Sequence, residues 1–122
     1  MYVLKDDGKI AGMIAVTMSQ GEDYHNIKWE IELNDDEVTV LHILAVCPEY
    51  QKKGIAKILI KESIKLADKR GKKAVRLDTL ASNTPAQRIY EGLGFGYRGK
   101  ENLYAENTGY TDFYYYEMIL GK

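Results

Sequence analysis

Hydrophobic and polar positions change their spacing several times along the chain, and each change predicts an element. Tyr2 to Lys5 and Ile10 to Met18 are extended stretches separated by Asp6-Asp7-Gly8-Lys9. The Asp-Gly pair is a hairpin signal, so the chain opens with an antiparallel pair. Ile27, Trp29, Ile31 and Leu33 alternate with other residues inside 19 to 36, a segment otherwise rich in Gly, Asn and acids. That alternation predicts a short strand or an excursion wrapped on the core. Glu37 to Cys47 contains the run Val38 to Val46, nearly continuous in β-branched and apolar residues, as expected of a central strand buried on both faces; Pro48 ends it.

From Ile55 to Arg70 the apolar residues stand at 55, 56, 58, 59, 60, 64, 66 and 67, with lysines at 57, 61, 65 and 69. Lysines every fourth position make one helix face. Gly71 is a helix stop, and Ala74 to Leu80 then reads as a strand parallel to the previous one across a right-handed helical crossover. Asn83-Thr84-Pro85 supplies a cap and a first-turn proline for a second helix over Pro85 to Glu91, closed by Gly92 and Gly94. Phe95 to Tyr104 and Thr111 to Leu120 are aromatic-rich strands about Asn107-Thr108-Gly109, an antiparallel closing pair. The sum is an α/β fold on a mixed, mostly antiparallel sheet with a central βαβ crossover.

The chain has 122 residues, 45% hydrophobic and 29% charged, which suits one domain over residues 1–122 with one core. No apolar run approaches the roughly 20 residues of a membrane-spanning helix, and the start lacks a signal peptide's basic-then-apolar order. A soluble cytoplasmic protein with no membrane role is the expectation. One cysteine, Cys47, and two histidines are too sparse for a structural zinc site, so no metal is expected.

Net charge is −1, but the signs are segregated. Residues 50 to 73 carry nine basic and two acidic residues, and residues 22 to 37 carry seven acidic residues against Lys28 alone. A basic segment invites a phosphate-bearing ligand or a nucleic acid. The overall acidity, with a pI near 6.1, disfavours nucleic acid. The acidic stretch is read as a solvated excursion.

Gln51-Lys52-Lys53-Gly54-Ile55-Ala56 lies between the buried strand and the long helix. Glycine there lets backbone approach a ligand, the first helical N–H groups lack intrahelical partners, and a phosphate at that end gains roughly 0.3–1 kcal/mol from the helix dipole. Neither Gly-x4-Gly-Lys-Ser/Thr nor Gly-x-Gly-x2-Gly is present. On spacing alone the segment is a phosphate cradle or an ordinary basic turn.

Two further blocks extend this one, Arg76-Leu77-Asp78-Thr79 and Asn83 to Phe95. Gln51, Gly54 and Ala56 fit Gln/Arg-x2-Gly-x-Gly/Ala, and Asn83, Ala86, Tyr90, Glu91, Gly94 and Phe95 fit Asn-x2-Ala-x3-Tyr-Glu-x2-Gly-Phe. With the strand before them, these blocks resemble the GNAT superfamily of acetyl-CoA-dependent N-acetyltransferases over roughly residues 37 to 96. The resemblance implies acetyl transfer to a primary amine, with acetyl-CoA and the amine as partners. It implies that Leu44, Ala45 and Val46 offer backbone groups to the pantetheine arm. Residues Gln51, Lys52, Lys53, Gly54, Ile55 and Ala56 would cradle the pyrophosphate. Asn83, with Ala86 in the same block, would meet the arm, and Tyr90 would place its hydroxyl near the thioester sulfur. An unperturbed tyrosine stays protonated at pH 7 and can donate to a departing thiolate.

Asp78 lies five residues before Asn83, where relatives that acetylate protein N-termini carry a glutamate. It is either the base or a carboxylate that orders the strand end or pairs with Arg76 or Arg88. The strand glutamate of histone-acetylating relatives would fall at Val40. His42 is read as a core histidine sharing a face with Val40 and Leu44; Tyr114, Tyr115 and Tyr116 alternate faces and are read as core residues, the alternative being that one or two line the acceptor cleft. Cys47 is a small residue at a strand end, not a nucleophile.

Family members usually begin with a strand and two helices before the first hairpin, whereas this sequence begins at the hairpin. It is expected to be a fragment starting at an internal methionine, or a short variant whose exposed edge and cleft a second copy covers as a homodimer. The rival function is a module that holds an acyl-CoA without transferring it.

Overall fold

The computed structural model describes residues 2–6, 9–46, 54–105 and 109–120. Among them, strands β1 (Tyr2–Asp6), β2 (Lys9–Thr17), β3 (Val38–Val46), β4 (Ala74–Leu80), β5 (Gly96–Ala105) and β6 (Gly109–Ile119) form one sheet in the order β1-β2-β3-β4-β6-β5. Helices α1 (Ile55–Lys69) and α2 (Thr84–Gly92) follow β3 and β4. β3 and β4 run parallel, as a strand-helix-strand crossover requires, and the other neighbours are antiparallel. The elements fall within a residue or two of the patterning.

The lysine spacing does mark the outer face of α1. Ile55, Leu59, Ile60, Ser63 and Ala67 are buried, while Lys57, Lys61, Lys65 and Lys69 are exposed. Ser63 is tolerated inside because its hydroxyl donates to the Leu59 carbonyl at 2.8 Å.

Both faces of the sheet carry an apolar cluster. Leu41, Leu77 and Tyr116 pack with Leu59, Ile60, Tyr90 and Phe95 beneath the helices. Val40 and Tyr115, one residue away along their strands and therefore on the opposite face, pack with Tyr24 and Ile27. That second face is covered by residues 18–37, which contain no strand. They form an excursion with two 3₁₀ turns, Glu22–Asn26 and Asp35–Glu37.

The excursion is a packed lid, which corrects the solvated reading. Tyr24 stacks on Trp29 with ring centroids 5.6 Å apart and meets Tyr115 edge-on at 5.2 Å. Beneath Trp29 lies the guanidinium of Arg76, 4.3 Å from the indole ring. Arg76 donates from Nε to Glu117 Oε2 at 2.8 Å, from Nη1 to Gln20 Oε1 at 2.7 Å and from Nη2 to the Ile31 carbonyl at 3.0 Å. Burial pulls its pKa down and Glu117 pushes it back up. Arg98 adds ion pairs to Glu117 at 3.3 Å and Glu30 at 3.0 Å.

Several acids at the rim of the lid are bound too. Asp35 accepts from Gln20 at 3.0 Å and meets His25 Nε2 at 2.7 Å, which holds its carboxyl below the usual range, His25 contributing most. Glu37 accepts from the Asn34 N–H at 2.9 Å, the main cause of its lowered pKa, and pairs with Lys73 at 3.5 Å. Lys72 donates to the carbonyls of Met18 and Asp36. Part of the basic segment therefore clamps the acidic one.

Candidate active site

The sheet is split in its middle. β3 and β4 pair from Val38↔Ala74 to Leu41↔Leu77 and then part. Each stays with its outer neighbour: β3 pairs with β2 as far as Gly12↔Val46, and β4 with β6 as far as Leu80↔Phe113. Ile14↔Ile43 is followed by Met13↔Ala45, leaving Leu44 as an extra residue in β3. Such a bulge bends its strand and increases the local twist, which turns the end of β3 away from β4. Leu44, Ala45 and Val46 thus stand on the wedge with backbone groups that no β4 partner meets. Backbone N–H and C=O groups are strong hydrogen-bonding partners, so the wedge suits a ligand rich in amides.

At the end of the wedge α1 begins. Gly54 adopts φ 76°, a left-handed conformation that favours glycine, and caps the helix without a side-chain hydrogen bond. Among the described residues, a Cβ placed on it meets nothing within 4 Å. Ile55 turns its side chain into the core, and Ala56 lines a cleft. Gln51, Lys52, Lys53 and Cys47 lie outside the described residues.

That cleft has a volume of about 560 Å³ and brings together Ala56, Asp78, Asn83, Ala86 and Tyr90. Asn83 is the N-cap of α2, its Oδ1 accepting the Ala86 N–H at 3.2 Å, so what it can offer a ligand is its amide NH₂. Tyr90 is 4% exposed and sits between Phe95 and Tyr116, centroids 6.2 and 5.9 Å away. Burial, and secondarily the charge of Asp78, pushes its pKa up to about 12. The phenol is therefore not the unperturbed group that spacing suggests. Arg76 is committed to Glu117 and Gln20, and Asp78 lines the cleft.

Two expectations change here. His42 is exposed and borders a second, smaller cleft, so it is not a core histidine. Tyr115 and Tyr116 are core residues on opposite faces, and Tyr114 is half-buried against Tyr97 at 5.2 Å. Phe113 lines the larger cleft and was missed by sequence reasoning. Period-two counting along β6 from the residue opposite Asp78, Tyr115, arrives at it.

A model of the acetyltransferase (GNAT) family matches residues 1–95. The [ribosomal protein bS18]-alanine N-acetyltransferase of Escherichia coli strain K12 is 37% identical over 78 residues, 63% of this chain and 52% of that protein. Its counterpart from Salmonella typhimurium strain LT2 is 32% identical over 107 residues, 77% of this chain and 70% of that protein. The chain thus spans about half the length of the first of these relatives. Among solved structures, the ribosomal-protein-S18-alanine N-acetyltransferase from Escherichia coli matches with a TM-score of 0.74 at 25% identity, over 98% of this chain and 68% of that one. A putative acetyltransferase from Salmonella typhimurium with its cofactor acetyl-CoA shares the fold at a TM-score of 0.78 and 18% identity, over 98% and 64% of the two chains.

Proposed function

The chain belongs to the acetyltransferase (GNAT) family, and on that premise we propose that it moves an acetyl group from acetyl-CoA to a primary amine within one ternary complex. The observation that carries the reading is a single cleft, at an open wedge in the sheet, holding Asp78, Asn83 and Tyr90. The edge of β3 at Leu44, Ala45 and Val46 that β4 does not pair would receive the pantetheine amides, with the Asn83 amide as a further donor. The start of α1 would take the diphosphate at the residues from Gln51 to Ala56, where the first helical N–H groups lack intrahelical partners.

The amine nitrogen, once neutral, adds to the thioester carbonyl; a C–N bond forms, the C–S bond breaks, and the thiolate leaves toward Tyr90. No covalent enzyme intermediate is needed, because holding both reactants in line supplies much of the advantage. Asp78 accepts the amine's proton, directly or through a water. Neutralising a lysine-type amine at pH 7 costs about 4.6 kcal/mol against about 1 for an α-amine, which makes an α-amine the easier acceptor. The two ribosomal-protein acetyltransferases reported above are named for acetylating an alanine.

We read residues 1–122 as one such domain, working in the cytoplasm and pairing with a second copy through a sheet edge. Nucleic acid, metal and membrane have no part in it. Among the described residues no helix is long and apolar enough to cross a membrane.

Calorimetric titration with acetyl-CoA and with CoA, followed by an amine panel, tests the reading. Both forms should bind, since most contacts go to the parts they share. Saturation at 100 times Kd should add about 2.7 kcal/mol to stability. Unchanged melting with saturating coenzyme would refute it, and binding without turnover of any amine would leave an acyl-CoA-holding module.

A further inference from the structure

Helix α2 has nine residues, fewer than the roughly 12–15 that an isolated helix needs, so its rotation on the sheet is set by what holds it there. Ala86 and Tyr90 form one row along it, and Gln87 and Glu91, likewise four apart, form the row beside them. Both residues of the second row are tied to the sheet. Gln87 donates from Nε2 to the carbonyls of Leu80 at 3.2 Å and Ala81 at 2.9 Å, at the end of β4. One turn later Glu91 Oε2 accepts the Tyr116 hydroxyl of β6 at 3.2 Å. Among the described residues the Glu91 carboxylate has no other partner.

Tyr116 is itself fixed. It is buried, and its ring meets those of Tyr97 and Tyr90 with centroids 5.9 Å away in each case. Burial, and after it the Glu91 carboxylate, pushes its pKa up to about 12, so its hydroxyl stays a donor. Tyr116 therefore holds α2 at two adjacent residues, by its hydroxyl at Glu91 and by its ring at Tyr90. At the edge of a helix roughly 10–12 Å across, a turn of about 10° about the axis shifts a side-chain tip by about 1 Å. A misplacement of about that size can cost about a hundredfold in rate.

We propose that Glu91 is a positioning residue for acetyl transfer: by holding the Tyr116 hydroxyl it fixes the rotation of α2 and keeps the Tyr90 phenol on the departing sulfur. This rests on the acetyl-transfer reading, in which Tyr90 meets that sulfur. Glu91 itself touches no reacting atom, for Tyr90 lines the larger cleft and Glu91 does not. Glu91 is also exposed, so replacing it removes little packing.

The test follows the thiol of bound CoA. A phenol that donates to sulfur favours the thiolate and lowers the pH at which the thiol ionises, and NMR of CoA labelled at the carbon beside sulfur reads that midpoint. Tyr90→Phe should raise the midpoint by about one pH unit or more, a tenfold change in acidity. Glu91→Ala and Tyr116→Phe should each raise it by at least about half as much. Losing the Glu91 charge alone would lower the midpoint, so the sign separates positioning from plain electrostatics. Glu91→Gln, whose amide oxygen still accepts the Tyr116 hydroxyl, should not exceed the parent. Added to Tyr90→Phe, Glu91→Ala should raise it no further, because there is no phenol left to place. CoA affinity at neutral pH should stay within about twofold by calorimetry, which a general loosening of the site would not allow. The positioning role is overturned if Glu91→Ala or Tyr116→Phe leaves the midpoint in place, if Glu91→Gln matches Glu91→Ala, or if Glu91→Ala still raises it beside Tyr90→Phe. A midpoint unmoved by Tyr90→Phe itself takes the phenol off the sulfur and ends the proposal with it, whereas a parent that fails to bind CoA overturns the transferase reading beneath both.

Discussion

Tyr90→Phe removes one oxygen from a buried ring and keeps the packing against Phe95 and Tyr116. With its pKa near 12, the phenol is ionised in about one molecule in 10⁵ at pH 7, so it is always a donor. Full proton transfer to a thiolate whose thiol has a pKa of about 8.5 would be uphill by about 5 kcal/mol. Tyr90 therefore acts by hydrogen-bonding the sulfur as negative charge develops, and solvent supplies the thiol's proton. A hydrogen bond to a charged partner contributes about 1.5–3 kcal/mol, which translates to about a 10- to 150-fold fall in kcat for the variant. CoA affinity should stay within about twofold, since no charge has developed in that complex. Steady-state assays against pH, with calorimetry of CoA binding, read both quantities. Full turnover in the variant refutes the argument. So does an alkaline limb of the parent near pH 9 that vanishes with the phenol, because it would mean that Tyr90 titrates three units below its buried value.

The same shift predicts a stability profile. A phenol whose folded pKa is raised from 10 to about 12 keeps its full contribution below pH 10 and loses it as pH rises toward 12, about 3 kcal/mol for Tyr90, so Tyr90→Phe should flatten the alkaline unfolding curve there. Glu117→Gln leaves Arg76 buried without its counter-charge and should cost about 3–5 kcal/mol in urea unfolding; a loss below about 1 would show that Gln20 and the Ile31 carbonyl suffice. Gly54→Ala places a side chain at φ 76°, for a loss of about 1–2 kcal/mol and weaker CoA binding, and unchanged binding would remove Gly54 from the coenzyme site.

Much of the fold is legible because its signals are local. The lysine period along α1, the Asn83-Thr84-Pro85 start of α2 and the β-branched run of β3 each state their element within a few residues. What escaped is long-range. From the sequence Arg76 is named only as a partner for Asp78, but Glu117 lies 41 positions away and Gln20 56 positions away, and only their convergence makes a buried cation tolerable. Glu30 and Glu37 read as solvated for the same reason, since their partners Arg98 and Lys73 arrive from later strands and loops, while the Asn34–Glu37 contact is local and was legible as a capping box. His42 was misjudged because period two gives a face and not the depth of what covers it. Of the site, Asn83, Ala86 and Tyr90 share one short helix and its cap, and so could be read together. Phe113 arrives from the last strand.

The split at the heart of the site follows from which neighbours each strand keeps. β4 is bonded to β6 along its whole length, and β6 carries Tyr115, Tyr116 and Glu117, each nearly inaccessible, so β4 cannot follow a twisting neighbour without exposing them. β3 is bonded to β2 to its last residue and takes the Leu44 bulge. A strand held on one side and bulged must leave the partner on its other side. The gap therefore opens on the only parallel pair among the described strands, where one helix-linked crossover joins the two lips, rather than between hairpin strands that a short turn ties. Deleting Leu44 would restore continuous alternation in β3 and allow pairing to run past Leu41↔Leu77. Coenzyme affinity should then fall by at least about tenfold, with β-sheet content by circular dichroism kept, and a deletion variant that folds and binds CoA as the parent does would show that the wedge does not depend on the bulge.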